Sequence, residues 1–215
     1  MRPPTLNFST IQSVVEISAT LAFALSGLLA GARKQLDVVG LCVVGGLTAF
    51  GGGTLRDVLL DRRPFFWVEH ADWLWALMAL ALGAMLFLRR RHLALTERAI
   101  EWPDALGLGL FTANGAWIAL QAGMPAIVAV LMGVVTATFG GVLRDIVCNE
   151  IPAAFNDHRP YALCSFVGGW VVVAAVRLEA PQWAAISAAA AATVLLRALA
   201  LWTGWTLPVW RIHKR

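Results

Sequence analysis

The residues best placed to do chemistry are charged side chains set in apolar sequence. In TAFGGGTLRDVLLDRRP, Thr48 to Pro64, Gly51, Gly52 and Gly53 are followed by Arg56 and Asp57. In TATFGGVLRDIVCNEIP, Thr136 to Pro152, Gly140 and Gly141 are followed by Arg144 and Asp145. At an offset of 88, without a gap, eight of 17 residues are identical. About one or two identities would arise by chance, even in a composition this biased. The same offset pairs Phe23 with Phe111, Gly27 with Gly115, and acidic Glu16 with acidic Asp104. The chain is an internal duplication.

Each glycine in a helix interior costs about 0.5 to 1 kcal/mol relative to alanine. The glycines are therefore expected to bend or open their helices. Carbonyl oxygens released beside a water-filled cavity would be ligands for a dehydrated monovalent cation. Close packing of helices through small residues is the competing reading. Asp and Arg in a membrane span cost about 3 kcal/mol each on insertion scales, so they are expected to face a cavity or a partner. Neighbours on a helix point about 100° apart, so Arg56 need not pair with Asp57, nor Arg144 with Asp145. A partner on another helix is expected instead. An interhelical salt bridge and a gate remain compatible roles for them.

The candidate ion path consists of Thr48, Phe50, Gly51, Gly52, Gly53, Asp57, Thr136, Gly140, Gly141 and Asp145. Arg56, Arg144 and Glu16 are the candidate gating or interhelical charges. Thr20, Ser26, Thr112 and Asn114 could add to a polar path, although Ser and Thr in such helices commonly satisfy a local carbonyl. Arg197 is expected to snorkel to the interface.

The elements that must position these residues follow from composition. With 59% hydrophobic and 14% charged residues in 215, the chain reads as an all-α integral membrane protein. Seven apolar spans are expected, at 12–31, 38–60, 70–88, 103–121, 125–148, 160–177 and 183–204. They form one domain over residues 1–215: repeat one at about 10–88, repeat two at about 100–177, and an extra helix at about 183–204. Three spans separate each residue from its equivalent, so the repeats are expected to be inverted, an architecture of transport proteins. The apolar run after Arg2 ends at Ala30-Gly31-Ala32 and resembles a cleaved signal, but the repeat makes it a permanent helix.

Loop cations set the orientation. Arg33, Lys34, Arg89, Arg90, Arg91, Arg98, Arg159, Arg211, Lys214 and Arg215 fall on one side, against Arg2, Arg62, Arg63 and Arg177 on the other. The C-terminus is expected to be cytoplasmic and the N-terminus outside. The pI of about 9.5 then reports topology and contact with anionic lipid; no basic-aromatic module points to nucleic acid. Trp67, Trp73, Trp102, Trp183 and Trp205 suit interfacial belts. Cys42, Cys148 and Cys164 read as small hydrophobes. His70, His92, His158 and His213 lie singly, without metal-ligand spacing. No Ser-His, metal or cofactor constellation suggests an enzyme.

Two three-helix repeats with FGGGTLRD and FGGVLRD in their second helices, plus a seventh helix, resemble the bacterial and archaeal members of the trimeric intracellular cation (TRIC) channel family. Relatives also carry the label glycine transporter. The resemblance implies a homotrimer in the bacterial or archaeal plasma (inner) membrane. Each subunit would have its own pore, lined by kinked second and fifth helices and permeable to potassium and sodium. It implies no cofactor beyond permeant ions and bound lipid. Animal members carry a lysine-containing motif in the second helix; here no lysine lies within any span, which speaks against regulation by phosphoinositides. A secondary transporter of a small solute such as glycine is the alternative, because broken helices at inverted positions serve a carrier equally well.

Overall fold

The computed structural model describes residues 8–87, 97–156 and 159–208. Arg2, Arg89, Arg90, Arg91, His92, His158, Arg211, His213, Lys214 and Arg215 lie outside the described residues. Among those described are nine helices and no strand: α1 (Phe8–Arg33), α2 (Val38–Leu59), α3 (Phe66–Glu69), α4 (Asp72–Phe87), α5 (Glu97–Gln121), α6 (Ala126–Val147), α7 (Ala153–Asn156), α8 (Ala162–Arg177) and α9 (Gln182–Thr203). Seven of them are 16 residues or longer and overlap the seven expected spans. Part of α1, with α2, α6 and α9, is long and apolar enough to cross a membrane; the apolar stretches of α4 and α8 are shorter.

Local sequence explains several boundaries. Asp37 caps α2, its Oδ1 accepting from the Gly40 N–H at 2.8 Å, which satisfies one of the orphan donors of the first turn. Pro125 and Pro181 stand at the N-caps of α6 and α9. Gly204, at φ 67°, ends α9 in the left-handed conformation that glycine adopts without strain. The boundary that differs most from expectation is the start of α5. The fourth span is expected from residue 103, whereas α5 begins at Glu97 and runs through Pro103. That proline withholds one N–H from the helix ladder but does not end it.

Helices α1, α2, α5 and α6 form the centre: α1 packs on α2 and α5, and α6 packs on the same two. Outside them, α4 leans on α2, α8 on α5 and α6, and α9 on α5 and α8. Aromatic knobs meet small residues along the α1–α5 seam. Phe23 lies against Gly107, Phe111 shares a buried cluster with Ala19, and the two rings are 5.3 Å apart.

The glycines act differently from the expected break. Helices α2 and α6 run unbroken through Gly51–Gly53 and Gly140–Gly141. Their role is contact. A Cβ at Gly52 would collide with the carbonyl oxygen of Thr136, and one at Gly140 with that of Thr48. The backbones of α2 and α6 thus touch at a crossing that no side chain would permit, and dispersion attraction between the two backbones offsets the poor helix propensity of glycine.

Candidate functional site

Two buried charge clusters lie at opposite ends of the central helices. In the first, Arg56 near the C-terminus of α2 pairs with Asp57 (Nη2 to Oδ1, 2.7 Å; Nε to Oδ1, 2.8 Å) and with Glu16 of α1 (2.9 Å). Asn114 of α5 donates to the same Glu16 Oε1 at 3.1 Å, and the partly exposed Arg62 approaches Asp57 Oδ1 at 3.6 Å. In the second, Arg144 near the C-terminus of α6 donates through Nε to Asp145 Oδ1 at 2.8 Å. Its Nη1 reaches Asp104 of α5 and donates to the hydroxyl of Ser26 on α1 at 2.6 Å. Arg56 is wholly buried and Arg144 nearly so.

These contacts correct one expectation and extend another. Each arginine does pair with the adjacent aspartate, because a flexible side chain spans the angular gap between neighbouring positions. Each also reaches a carboxylate on a second helix. The buried members correspond at offset 88: Glu16 with Asp104, Ser26 with Asn114, Arg56 with Arg144, Asp57 with Asp145, whereas the partly exposed Arg62 has Glu150 as its counterpart. Each cluster takes three buried charges from one half of the chain and one neutral polar group from the other. Ser26 and Asn114 differ in type, so counting identities does not couple them, although both are polar residues within apolar spans.

The clusters are about 15 Å apart, since Glu16 and Ser26 lie ten residues apart on α1 at about 1.5 Å per residue. Between them sit Phe23, Thr48, Ala49, Gly52, Phe111, Thr136, Ala137 and Gly140, all buried. Thr48 and Thr136 turn their hydroxyls back onto the carbonyls of Val44 and Met132, both at 2.6 Å. Phe50 is buried but faces aside, packing on Phe66 and Trp67. Gly51 meets Leu143, Gly53 meets the Phe66 ring, and Gly141 meets the Tyr161 hydroxyl. Thr112 joins Ser165 at 2.6 Å.

Both aspartates are held in place by backbone. After α2, Asp61 adopts φ 51°, and the N–H of Phe66 donates to Asp57 Oδ2 at 3.2 Å. After α6, Asn149 adopts φ 55°, and the N–H of Ala153 donates to Asp145 Oδ2 at 2.8 Å. A cavity of about 240 Å³ opens onto the second cluster, lined among others by Arg33, Glu101, Asp104, Arg144, Asp145 and Arg197. Arg197 does not snorkel as expected. It is buried, its Nη1 donates to the Pro160 carbonyl at 3.2 Å, and its guanidinium lies 5.0 Å from the centre of the Tyr161 ring. The pull of a buried carbonyl and an aromatic face outweighs the route to the interface. Of the tryptophans assigned to belts, Trp102, Trp183 and Trp205 are exposed, whereas Trp67 and Trp73 pack inward on Phe50 and Phe66. His70 stacks on Trp73 at 4.7 Å, and the described residues contain no group of three metal-ligating side chains.

A family model described as a glycine transporter matches twice, at residues 13–91 and 101–177, the two matches starting 88 residues apart. The chain is 32% identical over 205 residues to a UPF0126 membrane protein of Vibrio cholerae, covering 94% of this chain and 83% of that one. It is 32% identical to the UPF0126 inner membrane protein YadS of Escherichia coli K12, covering 93% and 96%. Among solved structures, the TRIC trimeric intracellular cation channel orthologue from Rhodobacter sphaeroides superposes with a TM-score of 0.82 at 36% identity, over 91% of this chain and all of that one. A second structure, solved to explain conductance through TRIC cation channels, gives 0.83 at 30% identity, over 94% and 98%. These relatives are membrane proteins and channels rather than enzymes. A double FGG–LRD signature, two matching charge clusters and whole-length likeness in sequence and fold converge on one conclusion: the chain belongs to the prokaryotic TRIC channel family.

Proposed function

We propose that the protein is a monovalent-cation channel of the inner membrane whose route joins the two charge clusters through the centre of α1, α2, α5 and α6. The observation that carries this reading is charge balance. Among the buried groups, each cluster sets two carboxylates against one guanidinium in contact with them, the further cation beside Asp57, Arg62, being partly exposed, and buried carboxylates in excess favour a cation over an anion. The likeness to solved TRIC cation channels supports the same reading. In this proposal α1, α2 and α4 form one three-helix repeat, α5, α6 and α8 form its inverted copy, and α9 is appended. Seven helices then cross the membrane, with the N-terminus outside and the C-terminus in the cytoplasm. The Arg56 cluster lies at the outer end and the Arg144 cluster at the inner end. Three copies assemble, each with its own path, and potassium and sodium are the permeant ions.

In this reading the narrowest point is the crossing where Gly52 meets Thr136 and Gly140 meets Thr48, and two backbone carbonyls line it. Their second lone pairs are available to a partly dehydrated ion once α2 and α6 part. The packed conformation is closed, and opening is a separation at that crossing.

A carrier of a small zwitterion is the second reading. The inner cavity presents Arg33, Arg144 and Arg197 together with Asp104 and Asp145, which suits a solute bearing both signs, and the matching family model is described as a glycine transporter. Single-channel recording of the purified protein in planar bilayers under a potassium gradient separates the two. Discrete openings that reverse near the potassium equilibrium potential support the channel. Silence, with saturable glycine uptake into liposomes, supports the carrier.

A further inference from the structure

We infer that the ion pair between Lys34 and Glu150 is a latch on the cavity at the Arg144 end, joining the two halves of the chain at its rim, and that the duplicated sequence cannot form the same latch at the Arg56 end. That the latched cavity belongs to an ion route rests on the reading above; the contact itself does not.

Lys34 Nζ lies 2.7 Å from Glu150 Oε1. Lys34 directly follows α1 in the first half of the chain, and Glu150 stands between α6 and α7 in the second. Glu150 lines the cavity, and so do Ala30 and Arg33 in the last turn of α1, just before Lys34. The pair therefore draws two parts of one rim together. The segment that bears Glu150 also holds the buried cluster. The N–H of Glu150 donates to the Asp145 carbonyl, and that of Ala153 to Asp145 Oδ2, both at 2.8 Å. A pull on Glu150 is thus a pull on the backbone that fixes Asp145 beside Arg144.

At offset 88 Glu150 answers to Arg62 and Lys34 to Ala122. The backbone there repeats, since the Arg62 N–H donates to the Asp57 carbonyl at 2.8 Å. The side chain has the opposite sign, and it turns back toward Asp57 of its own half at 3.6 Å. Alanine at 122 cannot carry the partner charge. One position of the duplicated chain therefore ties its segment inward at one end and across to the other half at the opposite end. The other ion pair at the cavity wall, Glu101 with Arg159 at 2.9 Å, stays within the second half. The side chains of Lys34 and Glu150 are 35% and 47% exposed. An ion pair so exposed shifts an equilibrium only a few-fold, and salt screens it over about 8 Å at physiological ionic strength. The contact biases the rim toward closure without locking it, and salt reaching that face loosens it.

The test is labelling of a thiol introduced on the cavity wall by Ala30→Cys, in the purified full-length protein in bilayers. N-ethylmaleimide is uncharged, so altered side chains do not steer it, and its addition is read at that residue by mass spectrometry. Glu150→Gln and Lys34→Gln should each speed labelling roughly two- to fivefold, the range for an exposed ion pair. Lys34→Glu combined with Glu150→Lys should return it to the unchanged rate, which a general loosening of the fold would not do. Glu150→Arg, which copies the other end, should label as fast as Glu150→Gln. Raising potassium chloride from about 0.1 to about 1 M should speed labelling where the pair is intact and leave Glu150→Gln unaltered. Folded single variants that label at the unchanged rate would overturn the inference, and so would a charge-swapped variant that labels as fast as the single ones. Labelling that changes as stated, in a protein silent in bilayers, would leave the latch standing and sink the channel reading.

Discussion

The carbonyl oxygen of Thr136 on α6 occupies the place where a side chain at Gly52 of α2 would begin. Thr48 stands in the same relation to Gly140, so two helices meet backbone to backbone at a pair of reciprocal contacts. Any β-carbon at either glycine must move a backbone rather than a side chain. Gly52→Ala is accordingly expected to destabilise the protein by about 1 to 3 kcal/mol, the range for overpacking a close-packed core. Gly83→Ala, where a Cβ meets open space, should be neutral or slightly stabilising. Thermal denaturation of the two variants side by side checks this. Equal stability would mean that the crossing relaxes freely.

Arg56 is wholly buried between Asp57 and Glu16. Removing one partner of a buried pair strands the remaining charge at about 3 to 5 kcal/mol, so Arg56→Met should assemble poorly. Arg56→Met combined with Glu16→Gln should recover part of the loss, because one stranded carboxylate is gone. A double-mutant cycle on thermal stability measures the coupling. Strict additivity would show that the contact between the two carries no energy.

Asp57→Asn and Asp104→Asn each remove a negative charge from one end of the proposed route. Cation over anion preference should fall in both, seen as a smaller reversal potential under a potassium chloride gradient in bilayers. Reversal potentials at the unchanged value in folded protein would take the clusters out of the ion path.

Arg197 ties α9 to the Tyr161 ring and the Pro160 carbonyl ahead of α8. Arg197→Leu should lower thermal stability by about 1 to 3 kcal/mol, the loss expected for a buried acceptor left without its charged donor. Arg197→Lys should rescue only part of it, because an ammonium cannot lie flat against the ring while donating sideways. Full rescue by lysine would show that charge alone matters.

Among the described residues, the seven helices of 16 residues or more are legible in the apolar windows, since apolar stretches fold as helix wherever backbone groups cannot bond to water, although only four of the seven are long and apolar enough to cross a membrane. The largest departure from a window is the start of α5, because a proline early in a helix can be tolerated as well as terminating; α1 also begins four residues ahead of its window. Arg56, Asp57, Arg144, Asp145 and Glu16 stand out in the sequence as charges that need a reason to be in a span, and the structure brings them into two clusters with Asp104. Phe50 adjoins the glycines in sequence, yet its ring packs away from them among Phe66 and Trp67. Phe66 and Tyr161 give no signal, because an aromatic beside a membrane segment carries no sign of what it covers.

What the sequence determined by itself is the duplication, its offset of 88 and the charges it repeats, because these are matters of order and composition. What only the tertiary structure decided is what those residues touch. A glycine in a helix reads equally as a weak point or as a place of contact, and the choice depends on whether another backbone arrives. At Gly52 and Gly140 one does, and the helices stay whole. An arginine likewise carries no record of its partners. That Asn114 attends Glu16, and Ser26 attends Arg144, was settled by the packing of α1 against α5 and α6, which brings positions 98 and 118 residues apart in sequence within hydrogen-bond reach.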